Sequence, residues 1–255
     1  MTSGSSKTQD LIELLTLSRD LGLGDVVMDR ATREEVLSAS ASRQVELGET
    51  ADVTKSDQDS SHNSKWIETV LQMDYDLLED TASHCQRCSL CETRNRTVFS
   101  DGHRDARLMI VGEAPGAKED QAGVPFVGQA GKLLDLLMAS VSLSRKESVY
   151  ICNVLKCRPP SNRNPLPNEI EMCTAYLTQQ IALVAPEVIL AVGTFAAQFL
   201  TGKKLPLGKL RGSTYSYRGV PLVITYHPAA LLRNPGWTRP TWEDFQLLRK
   251  IMDQE

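Results

Sequence analysis

Residues 107–141 read "RLMIVGEAPGAKEDQAGVPFVGQAGKLLDLLMASV" and change texture twice. The first six residues form a short apolar run rich in branched side chains and closed by glycine. A strand buried on both faces reads this way. The last fourteen, "GQAGKLLDLLMASV" (128–141), space their leucines as a helix does. Between them lies a loop with glycines and prolines around an acidic knot. The same succession recurs down the chain. Strand-like runs appear at "SVYICNVL" (148–155), "EVILAVG" (187–193) and "VPLVITYH" (220–227). Helix patterns separate or succeed them at "PNEIEMCTAYLTQQIALV" (167–184), "FAAQFLTG" (195–202) and "RPTWEDFQLLRKIM" (239–252). Strands alternating with helices predict an α/β fold with a parallel sheet covered on both faces. Ligands of such sheets sit beyond the carboxyl ends of the strands. The segments at the strand ends are therefore the informative ones: "GEAPG", "NVLKCRPP", "GTFAA" and "HPAALLRNP".

The bulk properties set the frame. A net charge of -4 over 255 residues conceals an asymmetry. Residues 1–84 hold 7 Lys+Arg against 17 Asp+Glu, and residues 85–255 hold 21 against 15. A basic folded part behind an acidic extension fits an anionic partner, although a solvated surface gives the same count. No apolar run approaches the ~18 residues of a membrane span. The start, "MTSGSSKTQDLIELL", has neither a secretory nor a transit pattern, so a cytoplasmic protein is expected. Residues 7–21 predict an amphipathic helix, 38–64 a disordered polar linker, and about Trp66 to Thr81 a second helix.

All six cysteines fall at or after residue 85. Without a secretory signal a disulfide framework is a poor reading. Cys85 and Cys88 form a C-x2-C pair, Cys157 comes after the second strand, and Cys173 lies on the next helix. Two thiols from one loop, one from a strand end and one from a helix would make a four-cysteine site. Zinc and an iron–sulfur cluster both accept four thiolates. The wide separation of the second pair leans toward a cluster. Cys91 extends the loop run to C-x2-C-x2-C, so spacing leaves open which local thiols bind. Cys152, inside an apolar strand, reads as a buried small hydrophobe.

The loop after the first strand is not a phosphate cradle. "GEAPG" lacks the G-x-G-x-x-G spacing, and no Lys-Ser/Thr comes after it. Glu113 at the strand end would repel phosphate. Glu113 and the Glu119–Asp120 pair could instead serve an electropositive reaction centre, or the pair could open a helix. Phe126 could present its ring to a planar ligand or fill the core. Asn153 carries one acceptor and two donors, enough to pair with an imide-like base edge. His227, before a proline, could donate to an oxygen that gains charge as a bond breaks. Leu231, Leu232 and Arg233 read either as a wedge for a base stack or as a short helix packed on the core.

Taken together, "CQRCSL", "VGEAPGAKEDQAGVPFVGQAGKLLD", "NVLKCRPPSNRNPLPNEIEMC" and "YHPAALLRNP" resemble the family 4 uracil-DNA glycosylases. These are the iron–sulfur branch of their superfamily. The resemblance covers about residues 82–252 and leaves an acidic extension, 1–81, outside it. It implies a four-stranded parallel sheet flanked by helices. It also implies a [4Fe–4S] cluster on Cys85, Cys88, Cys157 and Cys173, with Cys91 not required. Glu113 and Glu119 map to the acids that assist water attack. Gly112, Phe126 and Asn153 map to the uracil site, Phe126 stacking on the extruded base and Asn153 reading its edge. His227 faces the uracil O2. Leu231 and Arg233 map to DNA contacts. A related branch bonds covalently to DNA through a histidine in a basic insert, and "RPPSNRNPLPNEIEMC" has none.

The implied activity is excision of uracil from single- or double-stranded DNA by a monomer, leaving an abasic site. A non-catalytic nucleic-acid-binding module of the same fold is the rival, and a phosphate-transfer enzyme a more distant one. The extension could bind another protein, compete with DNA for the basic face, or do neither.

Overall fold

The computed structural model describes residues 63–254. The helix expected at 7–21 lies outside the described residues, as does most of the linker expected at 38–64. In chain order the first elements are α1 (63–70), α2 (Tyr75–Ser83), α3 (Leu90–Thr93), β1 (Asp101–Gly102) and β2 (Leu108–Gly112). Then come α4 (Ala117–Ala122), α5 (Gln129–Ala139), β3 (Val149–Asn153), α6 (Pro167–Val184) and β4 (Val188–Val192). The chain continues through α7 (Thr194–Thr201), α8 (Leu207–Leu210), β5 (Tyr215–Tyr217) and β6 (Val220–Thr225). It closes with α9 (Pro228–Arg233) and α10 (Thr238–Met252).

The sheet has the order β1-β3-β2-β4-β6-β5. Its four central strands are parallel, as expected from the four apolar runs. Two short antiparallel strands, β1 and β5, extend it at the edges beyond the four expected. Arg218 and Gly219 join β5 to β6 with φ of 50° and 93°. Two successive residues at positive φ are what a two-residue hairpin loop needs.

Alternation along each central strand sorts its side chains into two cores. Leu108, Ile110, Ile151 and Leu190 meet Leu134 and Met138 of α5 and Phe245 and Leu248 of α10. Met109, Val111, Cys152 and Ile189 point the other way, to Leu177 and Ile181 of α6 and Ala197 and Leu200 of α7. Both faces being covered, β2, β3 and β4 are buried at every residue, which is why they read as unbroken apolar runs. Each buried Leu, Ile or Val side chain contributes about 1.5–3 kcal/mol.

The helix expected from Trp66 to Thr81 is two helices. The Asp74 side chain accepts from the Leu77 amide at 2.9 Å and starts α2 afresh. An N-terminal cap of this kind stabilises a new helix start. Val70, Leu78 and Ala82 pack with Ala175 and Tyr176 of α6. Both helices therefore pack on the part of the chain that carries α6. Among the described residues no helix is long and apolar enough to cross a membrane.

Chain order places the site. From β2 the chain moves to β3 on one side, and from β3 it crosses to β4 on the other. Loops leaving β2 and β4 diverge there, and a crevice opens at their carboxyl ends.

Candidate active site and cysteine centre

A cleft of about 690 Å³ occupies that crevice. Glu113 after β2, Asn153 at the end of β3, Gly193 to Phe195 after β4, and His227 after β6 all line it. Glu119, Phe126 and Arg233 complete the set of expected side chains on its wall. All four strand-end segments singled out in the sequence thus converge.

Asn153 is only 2% exposed, and its Oδ1 is buried without a hydrogen-bond partner. A buried acceptor left unpaired costs about 1–3 kcal/mol. Such an atom at a cleft wall is poised for a donor from a ligand. Gly112 does not line the cleft. It acts by lacking a side chain, since a Cβ there would lie 2.3 Å from Asn153 Oδ1 and 2.6 Å from Phe126 Cζ. The amide and the ring can approach each other only across a glycine.

Phe126 is held in a left-handed conformation, φ 55°. Three residues fix it. Glu119 Oε1 accepts from the amides of Val127 (2.9 Å) and Gly128 (2.8 Å). Arg145 donates to the carbonyls of Pro125 (2.9 Å) and Phe126 (2.8 Å). Gly131, in the first turn of α5, lies so close that a Cβ would sit 1.7 Å from the Phe126 carbonyl oxygen. Glu119, expected beside Glu113 in the chemistry, thus has one oxygen engaged in anchoring the loop that carries Phe126. Asp120 is buried and accepts from Asn95, which ties α4 to the segment before β1.

His227 caps α9. Its Nδ1 accepts from the Ala229 amide at 3.2 Å, which leaves Nε2 as the protonated nitrogen. Burial, then the Arg233 charge, holds its pKa down at about 4, against an opposing pull from Glu119. The imidazole is therefore a neutral N–H donor throughout the physiological range. Its ring stacks beside Phe126, centroids 5.6 Å apart and planes 27° from parallel. Gly193, at φ 96°, admits it, for a Cβ there would come within 3.1 Å of His227 Cβ. Glu113 differs in kind. Burial alone pushes its carboxyl up to about 7, and among the described residues no ion pair draws it back. It can take or release a proton near neutrality, as a general base requires.

Leu231, expected at a DNA contact, faces the core. It is 2% exposed and packs in the core against the strands and α10, because α9 turns it inward. Leu232, next on the helix, is 51% exposed, and Arg233 is exposed at the cleft rim. Of the two leucines, Leu232 is the one open to solvent. The sequence pattern also gave no sign of Arg145, Gly131 or the stacked pair Tyr226–Trp237, 4.5 Å between centroids, on the cleft wall. An isolated arginine nineteen residues from its target carries no local signal.

Cys85, Cys88, Cys91, Cys157 and Cys173 ring a second, smaller cavity with Arg94 and Lys156. Cys152 does not face it and is buried in the sheet, as expected. Arg94 donates to Cys157 Sγ at 3.2 Å, and the Lys156 amide donates to Cys173 Sγ at 3.3 Å. Among the described residues no three Cys, His, Asp or Glu side chains converge as one bound ion requires. The thiols surround a space instead. Soft sulfur donors around a space, with cations beside them, fit an anionic iron–sulfur centre.

Residues 99–247 match the uracil DNA glycosylase superfamily model. The chain is 44% identical over 184 residues to a type-4 uracil-DNA glycosylase of Thermotoga maritima, covering 71% of this chain and 95% of the relative. It is 40% identical over 184 residues to one of Archaeoglobus fulgidus, covering 69% and 92%. A type-5 uracil-DNA glycosylase of Pyrobaculum aerophilum is 32% identical over 158 residues, covering 55% and 69%. The match covers nearly the whole length of these two type-4 enzymes, and the residues that match the superfamily model include the loops that build the cleft. The chain belongs to the uracil-DNA glycosylase superfamily and, within it, to the type-4 branch.

Proposed function

We propose that this protein excises uracil from DNA by hydrolysing the N-glycosidic bond, leaving an abasic site. The observation that carries the reading is the unpartnered, buried Oδ1 of Asn153 in the cleft wall beside Phe126. Uracil offers a donor at N3 flanked by acceptors at O4 and O2. The Asn153 amide accepts from N3–H and donates to O4, a pattern that cytosine reverses. A base inside a duplex cannot reach this cleft, so the nucleotide must be extruded. Leu232 fills the gap left in the stack, and Arg233 contacts phosphate.

Phe126 stacks on the extruded ring, which contributes ~1–3 kcal/mol without choosing among bases. As the glycosidic bond lengthens, electrons pass to the base and its O2 gains negative charge. The neutral His227 Nε2–H donates to that oxygen. Positive charge grows on the sugar at the same time. Glu113, ionised, favours it and takes a proton from the water that attacks the anomeric carbon. The departing uracil anion is protonated by solvent.

Cys85, Cys88, Cys157 and Cys173 hold a [4Fe–4S] cluster in this reading. Bound there, the cluster supplies four iron–thiolate links between segments far apart in sequence.

The test is an oligonucleotide with one labelled uracil. The expected result is free uracil and a strand that alkali cleaves at that position, from brown, iron-containing protein. Retention of the oligonucleotide without release would establish the non-catalytic binding module instead. Colourless, zinc-replete protein with full activity would refute the cluster.

A further inference from the structure

Lys156 is a charged side chain buried to 2% exposure. Its Nζ donates to the Asn153 carbonyl at 2.7 Å and to Gln180 Oε1 at 2.5 Å. Gln180 is fixed in this orientation, because its Nε2 donates to Tyr150 Oη (2.7 Å) and the Phe99 carbonyl (3.2 Å). Both acceptors are neutral, and among the described residues Lys156 makes no ion pair. A buried ammonium without an anion is costly, and an apolar side chain of equal length would ordinarily be better there. The Nζ also lies over the Phe99 ring, 5.8 Å from its centroid, which leaves its charge with neutral partners alone.

The cysteine cavity adjoins this residue. Lys156 lines it, stands next to Cys157 in sequence, and bonds Cys173 Sγ through its own amide. Its carbonyl accepts from the Val98 amide at 2.8 Å, so the backbone is pinned on both sides. One residue thus touches a thiol through its backbone and the base-reading residue through its side chain. Asn153 otherwise ends β3, where the amides after it bond the Gly112 and Glu113 carbonyls.

We propose that Lys156 is a positioning residue that links the cysteine centre to Asn153, its ammonium serving as counter-charge to the thiolates of a bound cluster. The inference rests on the four cysteines holding a cluster. Wild-type protein without iron would refute that reading, and iron is scored on wild type before any variant is made.

The experiment compares cluster-loaded wild type with Lys156→Met and Gln180→Glu. Lys156→Met keeps length but removes both charge and donor. Its cluster reduction potential should shift downward, since added negative charge is no longer offset. Single-turnover excision should fall about tenfold or more, as for other outer partners of a metal site, while affinity for abasic-site DNA is kept. Gln180→Glu keeps the bond to Nζ and supplies the missing carboxylate, which accepts from Tyr150 Oη but gives up the bond to the Phe99 carbonyl. It should also lower the potential, with excision retained, and it carries the test if Lys156→Met fails to fold. A potential unmoved by Gln180→Glu, or Lys156→Met excising at the wild-type rate, would overturn the proposal.

Discussion

Asn153→Ala is expected to slow uracil release by about 10³-fold while leaving affinity for undamaged DNA nearly unchanged. The amide meets the base at two atoms, and one of them, O4, shares the charge that develops on the leaving uracil. A hydrogen bond to a charged group is worth about 1.5–3 kcal/mol and one between neutral groups about 0.5–1.5, so the pair accounts for a loss of roughly this size. The phosphate contact proposed for Arg233 does not involve residue 153, and contacts of that kind set affinity independent of sequence. Single-turnover release and filter binding, measured on the same preparation, separate the two. Equal losses in both would remove Asn153 from base reading.

Glu113→Gln should slow excision by about 10²–10⁴-fold, the range for a positioned general base. The pH profile gives the sharper signature. Burial holds the Glu113 carboxyl at about 7, so the wild-type rate should rise with pH through that value and then level off. His227 is already neutral above about 4 and adds no limb in this window. The variant should show a flat profile there.

Stability should move in the opposite sense. The folded protein binds the Glu113 proton more tightly than the unfolded chain, where the carboxyl titrates near its ordinary 4.5. The stability contributed by protonated Glu113 is full below 4.5 and is lost as the pH rises through about 7. Glu113→Gln removes that loss, so its melting temperature at pH 8 should exceed that of wild type. Glu119→Gln is the control. Its amide oxygen can still accept from Val127 and Gly128, so excision should fall by no more than about tenfold. A deficit as deep as that of Glu113→Gln would return Glu119 to the chemistry.

Much of this molecule is written locally. The four central strands are legible because burial on both faces leaves no polar alternation to confuse the reading. The cleft is legible because a parallel sheet delivers its loops to one edge, so Glu113, Asn153, Gly193 and His227 fall together from sequence order alone. The edge strands are not legible. β1 and β5 are two and three residues long, and Arg218–Gly219 is a weaker turn signal than Asn-Gly.

Leu231 and Leu232 cannot be ordered until α9 is known to form, although Pro228 at its first position and His227 as its cap are signs of it. Least visible is the support of Phe126. Its conformation depends on Arg145, Glu119 and Gly131, whose contacts exist only once α4, α5 and the loop have folded together. The same holds for Lys156, which is buried against Gln180, a partner twenty-four residues away.

The most direct measurement is a structure of the protein with uracil-containing DNA after cleavage, the free base retained. The ring should lie against Phe126, with its N3 within hydrogen-bond distance of Asn153 Oδ1 and its O2 facing His227 Nε2. A base bound elsewhere, or one whose N3 has no contact with Asn153, would contradict the account.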